Sequence, residues 1–458
     1  MMRHFSLKNP LVSGTIILTL TGFASRFIGF FYRIFLSRTF GAEGMGIYQL
    51  TAPVLALTFA LTAAGIQTAI SKFVAGETST RDYRYSFVYL FSGLALSLTL
   101  SILCAGFVYC FSEQIAVQFL MEARTAPLLR IIALSIPMAA VHSCINGHFY
   151  GIKKTGIPSA CQLSEQIVRV SSVYVIYALC LRKGYTPTIS FAVVGLVIGE
   201  CASMLVSLIA AWAHFSGKLN AQPAASTASV RLRCAFSDML RLSVPLSANR
   251  VIINFLMSVE AVFIPEQLLK YGYEHQTALS IYGVLTGMSL PLILFPSAIT
   301  GSVCVLLLPV VSEADAAGNQ HTVEKAIHKS VKYGFLLGSA FALIFFLGGP
   351  FLGNLLYQNE TAGRFISILG FLCPLMYIAS TLSSILNGLG KTGLTFLYSM
   401  ISLLVRLFFV FFLIPVIGIN GYLLGLLVSQ LVQTLLCLYA VRGYGSASEI
   451  HGSSPGFH

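Results

Sequence analysis

Gly151-Ile152-Lys153-Lys154-Thr155-Gly156 recurs as Gly388-Leu389-Gly390-Lys391-Thr392-Gly393. The register holds on both sides without a gap. Pro137 matches Pro374 and Arg169 matches Arg406, each at an offset of 237 residues. A second trace, Gly195-x-x-x-Gly199 against Gly421-x-x-x-Gly425, requires a shorter joint in the second copy, and Pro53 corresponds roughly to Pro291. The chain therefore reads as two copies of one unit.

Around these matches lie twelve apolar runs, at about 11–36, 46–75, 85–111, 126–150, 157–181, 189–214, 238–264, 281–311, 331–353, 364–387, 394–415 and 420–441. A helix needs about 20 apolar residues to span a bilayer. The runs are too long for strands and lack period-two alternation, which argues against a barrel. Only 10% of the 458 residues are charged, and the mean hydropathy is +0.82, against about 25% charged in soluble chains. The expected fold class is an all-α polytopic membrane protein of about twelve transmembrane helices. An even number of helices per copy makes the repeats parallel, around a central cavity, as in alternating-access carriers. The expected divisions are an N-terminal six-helix half at 1–214, a linker at 215–237, a C-terminal six-helix half at 238–442 and a polar tail at 443–458. The first apolar run lacks an A-x-A-like cleavage site and carries Arg26 and Arg33, so it reads as a spanning helix.

The net charge of +12 is mostly a topology signal. With the N-terminus inside, sixteen Lys and Arg fall in inner joints and six in outer ones. This puts both termini in the cytoplasm. No basic, aromatic-interleaved soluble domain points to nucleic acid. The ten cysteines form no CxxC pair and sit mostly in apolar runs, as small buried side chains do. No metal spacing, cofactor fingerprint or catalytic triad is present, so no enzyme, metal or cofactor is expected. Gly390-Lys391-Thr392 is not a phosphate-binding loop, because Ile385 stands where its first glycine should be.

Ionisable groups at membrane depth are costly and face a cavity or a partner. Arg26 lies about 22 Å into the first helix at 1.5 Å per residue. Arg33 shares its face. Arg250 lies near mid-depth of the seventh, beside Asn249 and Asn254. A guanidinium can hold an anion bidentately and stay charged, which ranks Arg26 first, Arg250 second and Arg33 third as anion contacts. Arg33 also reads as snorkelling to the interface. Arg169 and Arg406, being equivalent, read as structural, with Glu165 placed four residues before Arg169 to pair with it. Glu200 and Glu260 are candidates for ion coupling to sodium or protons, or else salt-bridge partners. Pro291 and Pro296, with Gly287 nearby, mark the eighth helix as the best hinge candidate.

Gly22-Phe-Ala-Ser-Arg26-Phe-Ile-Gly-Phe-Phe-Tyr-Arg33, followed by Phe40-Gly41-Ala42-Glu43-Gly44-Met-Gly46-Ile-Tyr48, resembles the first-helix signature of polysaccharide and lipid-linked oligosaccharide flippases. These belong to the multidrug/oligosaccharidyl-lipid/polysaccharide exporter superfamily. Ala63-Ala64-Gly65-Ile66 through Ser71-Lys72 resembles its second helix. Tyr282-Gly283 through Leu290-Pro291, ending near Ser312-Glu313, resembles the eighth helix of the stage V sporulation protein B-like branch. The chain departs from that branch in its twelve rather than fourteen helices, and in Glu260 and Gln267-Leu268, where an Asp and an Arg-Leu pair often stand. The resemblance implies a transporter that flips an undecaprenyl-linked oligosaccharide or a peptidoglycan precursor to the outer leaflet, with Arg26 on its anionic headgroup. The alternative is a cation-coupled multidrug exporter of the same superfamily, disfavoured because few carboxylates lie deep. It further implies a monomer in the bacterial cell membrane, driven by Na+, H+ or the membrane potential.

Overall fold

The computed structural model describes residues 10–79, 83–216 and 228–451, with side chains at 17–76, 86–216 and 235–442. Every regular element among them is helical. The chain is an all-α, multi-pass membrane protein. Its helices are inside-out by soluble standards: Leu347, Phe351, Trp212 and Tyr439 are exposed, as apolar groups facing hydrocarbon would be.

Among the described residues nine helices are long and apolar enough to cross a membrane, or eleven with two bent pairs. The stretch Ile17–Gly76 covers the first two apolar runs in 60 residues, about 90 Å of helix against a core of about 30 Å. The helix Gly156–Arg182, 27 residues long, carries Glu165 and Arg169 and is too polar to be counted. The eighth run is shared by His275–Leu294 and Ser297–Ala316, parted at Phe295-Pro296. Counted by apolar run instead of by unbroken helix, the twelve expected segments are there.

The elements used below are α1 (Pro10–Leu50), broken at Gly41 (φ 71°); α2 (Ala52–Phe59) and α3 (Gly65–Ser79), joined by a π-turn at Ala60–Ala64; and α4 (Tyr83–Cys110). They continue with α5 (Ala126–Ala133), α6 (Ser135–Gly151), α7 (Gly156–Arg182) and α8 (Ser190–Ser216). Then come α9 (Ala228–Tyr271), α10 (His275–Gly283), α11 (Leu290–Leu294) and α12 (Ser297–Ala316). The last are α13 (Gln320–Tyr357), α14 (Glu360–Leu369), α15 (Leu372–Gly388), α16 (Thr392–Phe412) and α17 (Ile419–His451). Helix α9 begins inside the stretch read as a linker, of which 217–227 lie outside the described residues. Helix α17 runs into the stretch read as a tail, of which 452–458 lie outside them.

The repeat is visible in backbone detail. Helix α6 bends 45° from the short helices before it, and α15 bends 49° from α14. Pro137 and Pro374 sit just past these bends, where a missing N–H is tolerated. Met121 (φ 56°) matches Gln358 (φ 52°), and Lys153 (φ 61°) matches Gly390 (φ 73°). The next residues, Glu122 and Asn359, are both extended N-caps whose side chains accept backbone N–H groups. A Cβ on Gly151 would lie 2.8 Å from the Ser71 carbonyl oxygen, and one on Gly388 would lie 2.9 Å from that of Leu308. All these pairs keep the offset of 237. Small residues at such crossings let backbones meet where no hydrophobic force joins helices.

By compactness the chain divides into a first unit, up to Phe40 with Ile47–Val262, and a second, Gly41–Gly46 with the residues from Phe263 on. The first is centred on Ile66, Ile70, Val74, Cys144 and Met239, with a second cluster around Val54, Leu129 and Ile136. The second is centred on Val311, Leu382, Ile385, Leu386 and Cys437. There α10 lies on the segment after Gly41, so close that a Cβ on Gly283 would overlap the Ala42 carbonyl oxygen.

Lys153 occupies a left-handed position that its counterpart fills with glycine. An L side chain there costs about 1–2 kcal/mol, partly offset by glycine's greater entropy loss on folding. Lys153→Gly is expected to leave the thermal midpoint of the purified protein unchanged or slightly higher. Gly390→Ala should lower it, by the equivalent of about 1 kcal/mol of stability. A lower midpoint for the first, or an unchanged one for the second, would contradict this account.

Candidate functional site

Two of the spanning helices of the first unit meet through glycines. A Cβ on Gly195 of α8 would overlap Val173 of α7, and one on Gly199 would lie 2.9 Å from the Glu165 carbonyl oxygen and 3.0 Å from the Arg169 Cβ. The next residue of α8 is Glu200, so this contact delivers its carboxylate to the polar face of α7. There Arg169 Nη2 donates to Glu165 Oε1, one turn away, the pairing expected from sequence. The same Nη2 lies 3.6 Å from Glu200 Oε1. From α6, His142 Nε2 lies 2.8 Å from Glu200 Oε2. Four ionisable side chains from three helices thus form one chain, His142–Glu200–Arg169–Glu165, each side chain only 12–17% exposed.

Two carboxylates and one guanidinium leave one net negative charge unless His142 carries a proton. In a low-dielectric interior such a remainder is expensive. The Nδ1 of His142 and the hydroxyl of buried Tyr32 have no hydrogen-bond partner among the described residues. A cavity of about 330 Å³ between α2, α6 and α8 ends on Glu200, with Thr58, Thr62 and Ser135 among its walls. Ligand atoms of His142, Glu165 and Glu200 all lie within 4.8 Å of one another, a spacing that a metal ion would fit. Arg169 argues against one: its guanidinium already bridges the two carboxylates, and a metal would have to displace it.

The repeat makes this cluster conspicuous. At the offset of 237 His142 becomes Ala379 and Glu165 becomes Ser402, while the glycine register turns Glu200 into Leu426. Only Arg169 keeps its counterpart, Arg406. A purely architectural network would be expected in both copies. Sequence reading singled out Glu200 and the Arg169–Glu165 pair but missed His142. Comparison of the two copies residue by residue was the signal that could have found it.

The other candidates are dispersed. Arg26 on α1 and Arg250 on α9 are both exposed. Arg250 Nη2 donates to Thr68 Oγ1 at 3.3 Å, and its carbonyl accepts from Asn254. No carboxylate pairs with either arginine among the described residues. Arg33 is half-buried on α1. Glu260 is buried on α9, apart from the cluster of Glu200. Gly287 lies in a π-turn at Val284–Ser289, Pro291 in the first turn of α11, and Pro296 caps α12. Each hinge candidate therefore sits at an irregularity.

Solved structures share this architecture. A multidrug resistance transporter of the MATE family, of the MOP superfamily, in an inward-facing conformation aligns with a TM-score of 0.71 at 15% identity, covering 93% of this chain and 96% of that one. The lipid II flippase MurJ in an inward closed conformation aligns with a TM-score of 0.71 at 16% identity, covering 93% and 87%. In sequence, stage V sporulation protein B of Bacillus subtilis (strain 168) is 28% identical over 431 residues, covering 94% of this chain and 83% of that protein. The lipid II flippase MurJ of the same organism is 21% identical over 462 residues, covering 96% and 84%. The MatE family pattern matches residues 267–412. The pattern of the polysaccharide biosynthesis proteins matches residues 11–315, well over half the chain, and the chain belongs to that family.

Removing one partner of a buried ion pair costs about 3–5 kcal/mol, whereas replacing both by apolar residues is often neutral. Arg169→Met should therefore lower thermal stability strongly, and Arg169→Met with Glu165→Met should recover much of the loss. Equal stability of the single and double variants, in unfolding of the purified protein, would contradict the network.

Proposed function

We propose that the protein flips an undecaprenyl-linked oligosaccharide or peptidoglycan precursor, anionic at its phosphate or diphosphate, from the cytoplasmic to the outer leaflet by alternating access. The observation that carries this reading is the pair Arg26 and Arg250. Both are exposed cations on spanning helices, and no carboxylate pairs with them among the described residues. A cation at membrane depth needs a counter-charge, and the phosphate of a lipid-linked sugar supplies one. Arg33 on α1 serves as a further contact. Kinship with stage V sporulation protein B and with the lipid II flippase MurJ supports a lipid-linked cargo. Its halves are 1–214 and 238–442. The protein works as a monomer in the bacterial cell membrane, with both termini cytoplasmic.

Gly287, Pro291 and Pro296 supply the bending of the eighth segment. Moving one charge through 100 mV is worth about 2.3 kcal/mol, so a potential positive outside helps draw an anion outward. Glu200, through its bond to His142, and Glu260 are the positions for ion coupling. A cation-coupled drug exporter is the second reading, favoured by the MatE match at 267–412. The deciding experiment uses proteoliposomes with a fluorescent undecaprenyl-diphosphate sugar. Protein-dependent exposure of the headgroup to an external quencher is expected, reduced at least tenfold in Arg26→Ala and Arg250→Ala at unchanged folding. Tenfold corresponds to about 1.4 kcal/mol, within the range of one charge-assisted hydrogen bond. No translocation, together with transport of organic cations, would overturn the proposal.

A further inference from the structure

The second unit carries an amphipathic groove that no part of the transport reading uses. A cavity of about 490 Å³ lies between α12 and α13, which run antiparallel from the turn at Gly318 (φ 66°). Its walls change character along their length. Lys325 and Lys329, one helical turn apart on the same face of α13, stand near the turn, about 9 and 15 Å along the axis from Asn319. Leu307 faces them from α12. Farther out, at about 21–27 Å, the lining becomes Val303 and Leu337. Tyr333 joins them on the α13 side. Lys325 and Lys329 have no ion-pair or hydrogen-bond partner among the described residues. The nearby acidic groups, Glu313, Asp315 and Glu324, do not line the cavity.

We propose that this groove is a binding site for an anionic phospholipid of the bilayer. The phosphate sits against Lys325 and Lys329, and an acyl chain lies along Leu307, Val303 and Leu337. Two unengaged ammonium groups at one end of an apolar slot match a ligand that is negative at one end and hydrocarbon beyond. A zwitterionic lipid offers no net charge to them, and free phosphate fills only the basic end. Basic pockets between spanning helices select such headgroups through the same two terms, surface charge and a chain held in hydrocarbon. The lysine bias that orients the chain puts this end at the inner leaflet, where anionic lipid is met directly. Neither Arg26 nor Arg250 lines the groove, so the proposal does not rest on what cargo the protein carries.

The test is lipid titration of the purified full-length protein in neutral detergent, read by native mass spectrometry and by thermal stabilisation. Phosphatidylglycerol is expected to bind and to raise the unfolding midpoint, and phosphatidylcholine to do neither. At about 1 kcal/mol per lysine, K325Q/K329Q should weaken phosphatidylglycerol binding by about 30-fold, and K325R/K329R should retain it. Both lysines are exposed, so the lipid-free midpoints of the variants should equal that of the parent protein. Equal phosphatidylglycerol affinity in parent and K325Q/K329Q would overturn the proposal, as would equal binding of phosphatidylcholine. Preferential binding of undecaprenyl phosphate over phosphatidylglycerol at these lysines would assign the groove to the cargo instead. Competition by inorganic phosphate at concentrations similar to those of phosphatidylglycerol would overturn the acyl-chain part of the site.

Discussion

A charge in a hydrocarbon slab must meet an opposite charge, a dipole or a wet cavity, because nothing else there replaces its water. That constraint sorts the arginines of this chain. Arg169 is solved internally: Glu165 on its own helix and Glu200 on the next enclose its guanidinium, and Gly199 makes that approach possible. Arg26 and Arg250 are not solved by any carboxylate among the described residues. The first kind of arginine ties two helices together, and the second is the kind proposed above to meet an anionic headgroup. The distinction comes from pairing and not from residue type.

The repeat sharpens this division. Helix bends, left-handed residues, N-caps and backbone crossings recur at one offset across this stretch, so the local architecture is repeated in both copies. What was not copied is the set of ionisable partners around Arg169. At the corresponding positions Ser402 stands for Glu165, Ala379 for His142 and Leu426 for Glu200. Duplication keeps what the fold needs; the divergent positions are free for work that one half alone performs. The His142–Glu200 contact beside its cavity belongs to the first half alone.

The fold was legible because bilayer thickness writes itself into sequence. Twelve runs of about the required length had one economical reading, and Lys154-Thr155-Gly156 with its copy gave the repeat. The bond between Glu165 and Arg169 was legible because it spans one turn of one helix. His142 was not, because its partner lies 58 positions away on another helix, and the glycine contact that joins α7 to α8 sets only the α7–Glu200 geometry. The start of α9 was also hidden. Residues 228–237 are polar enough to read as linker, yet they continue a helix whose apolar face begins later. Helicity there follows continuity with the span and not local hydropathy.

The lysine groove extends the same reasoning to the membrane interface. The positive-inside bias is usually read as an address label, a count of charges with no geometry attached. Lys325 and Lys329 show that two of those charges have a geometry: they share a face, they lack partners among the described residues, and the wall beyond them turns apolar. Residues that set orientation during insertion stay at the headgroup level for the life of the protein. Where two helices part beside them, as α12 and α13 do, the bilayer's own anionic lipid is the nearest molecule with the matching shape and charge. The proposed orientation and the proposed lipid site then draw on one set of side chains.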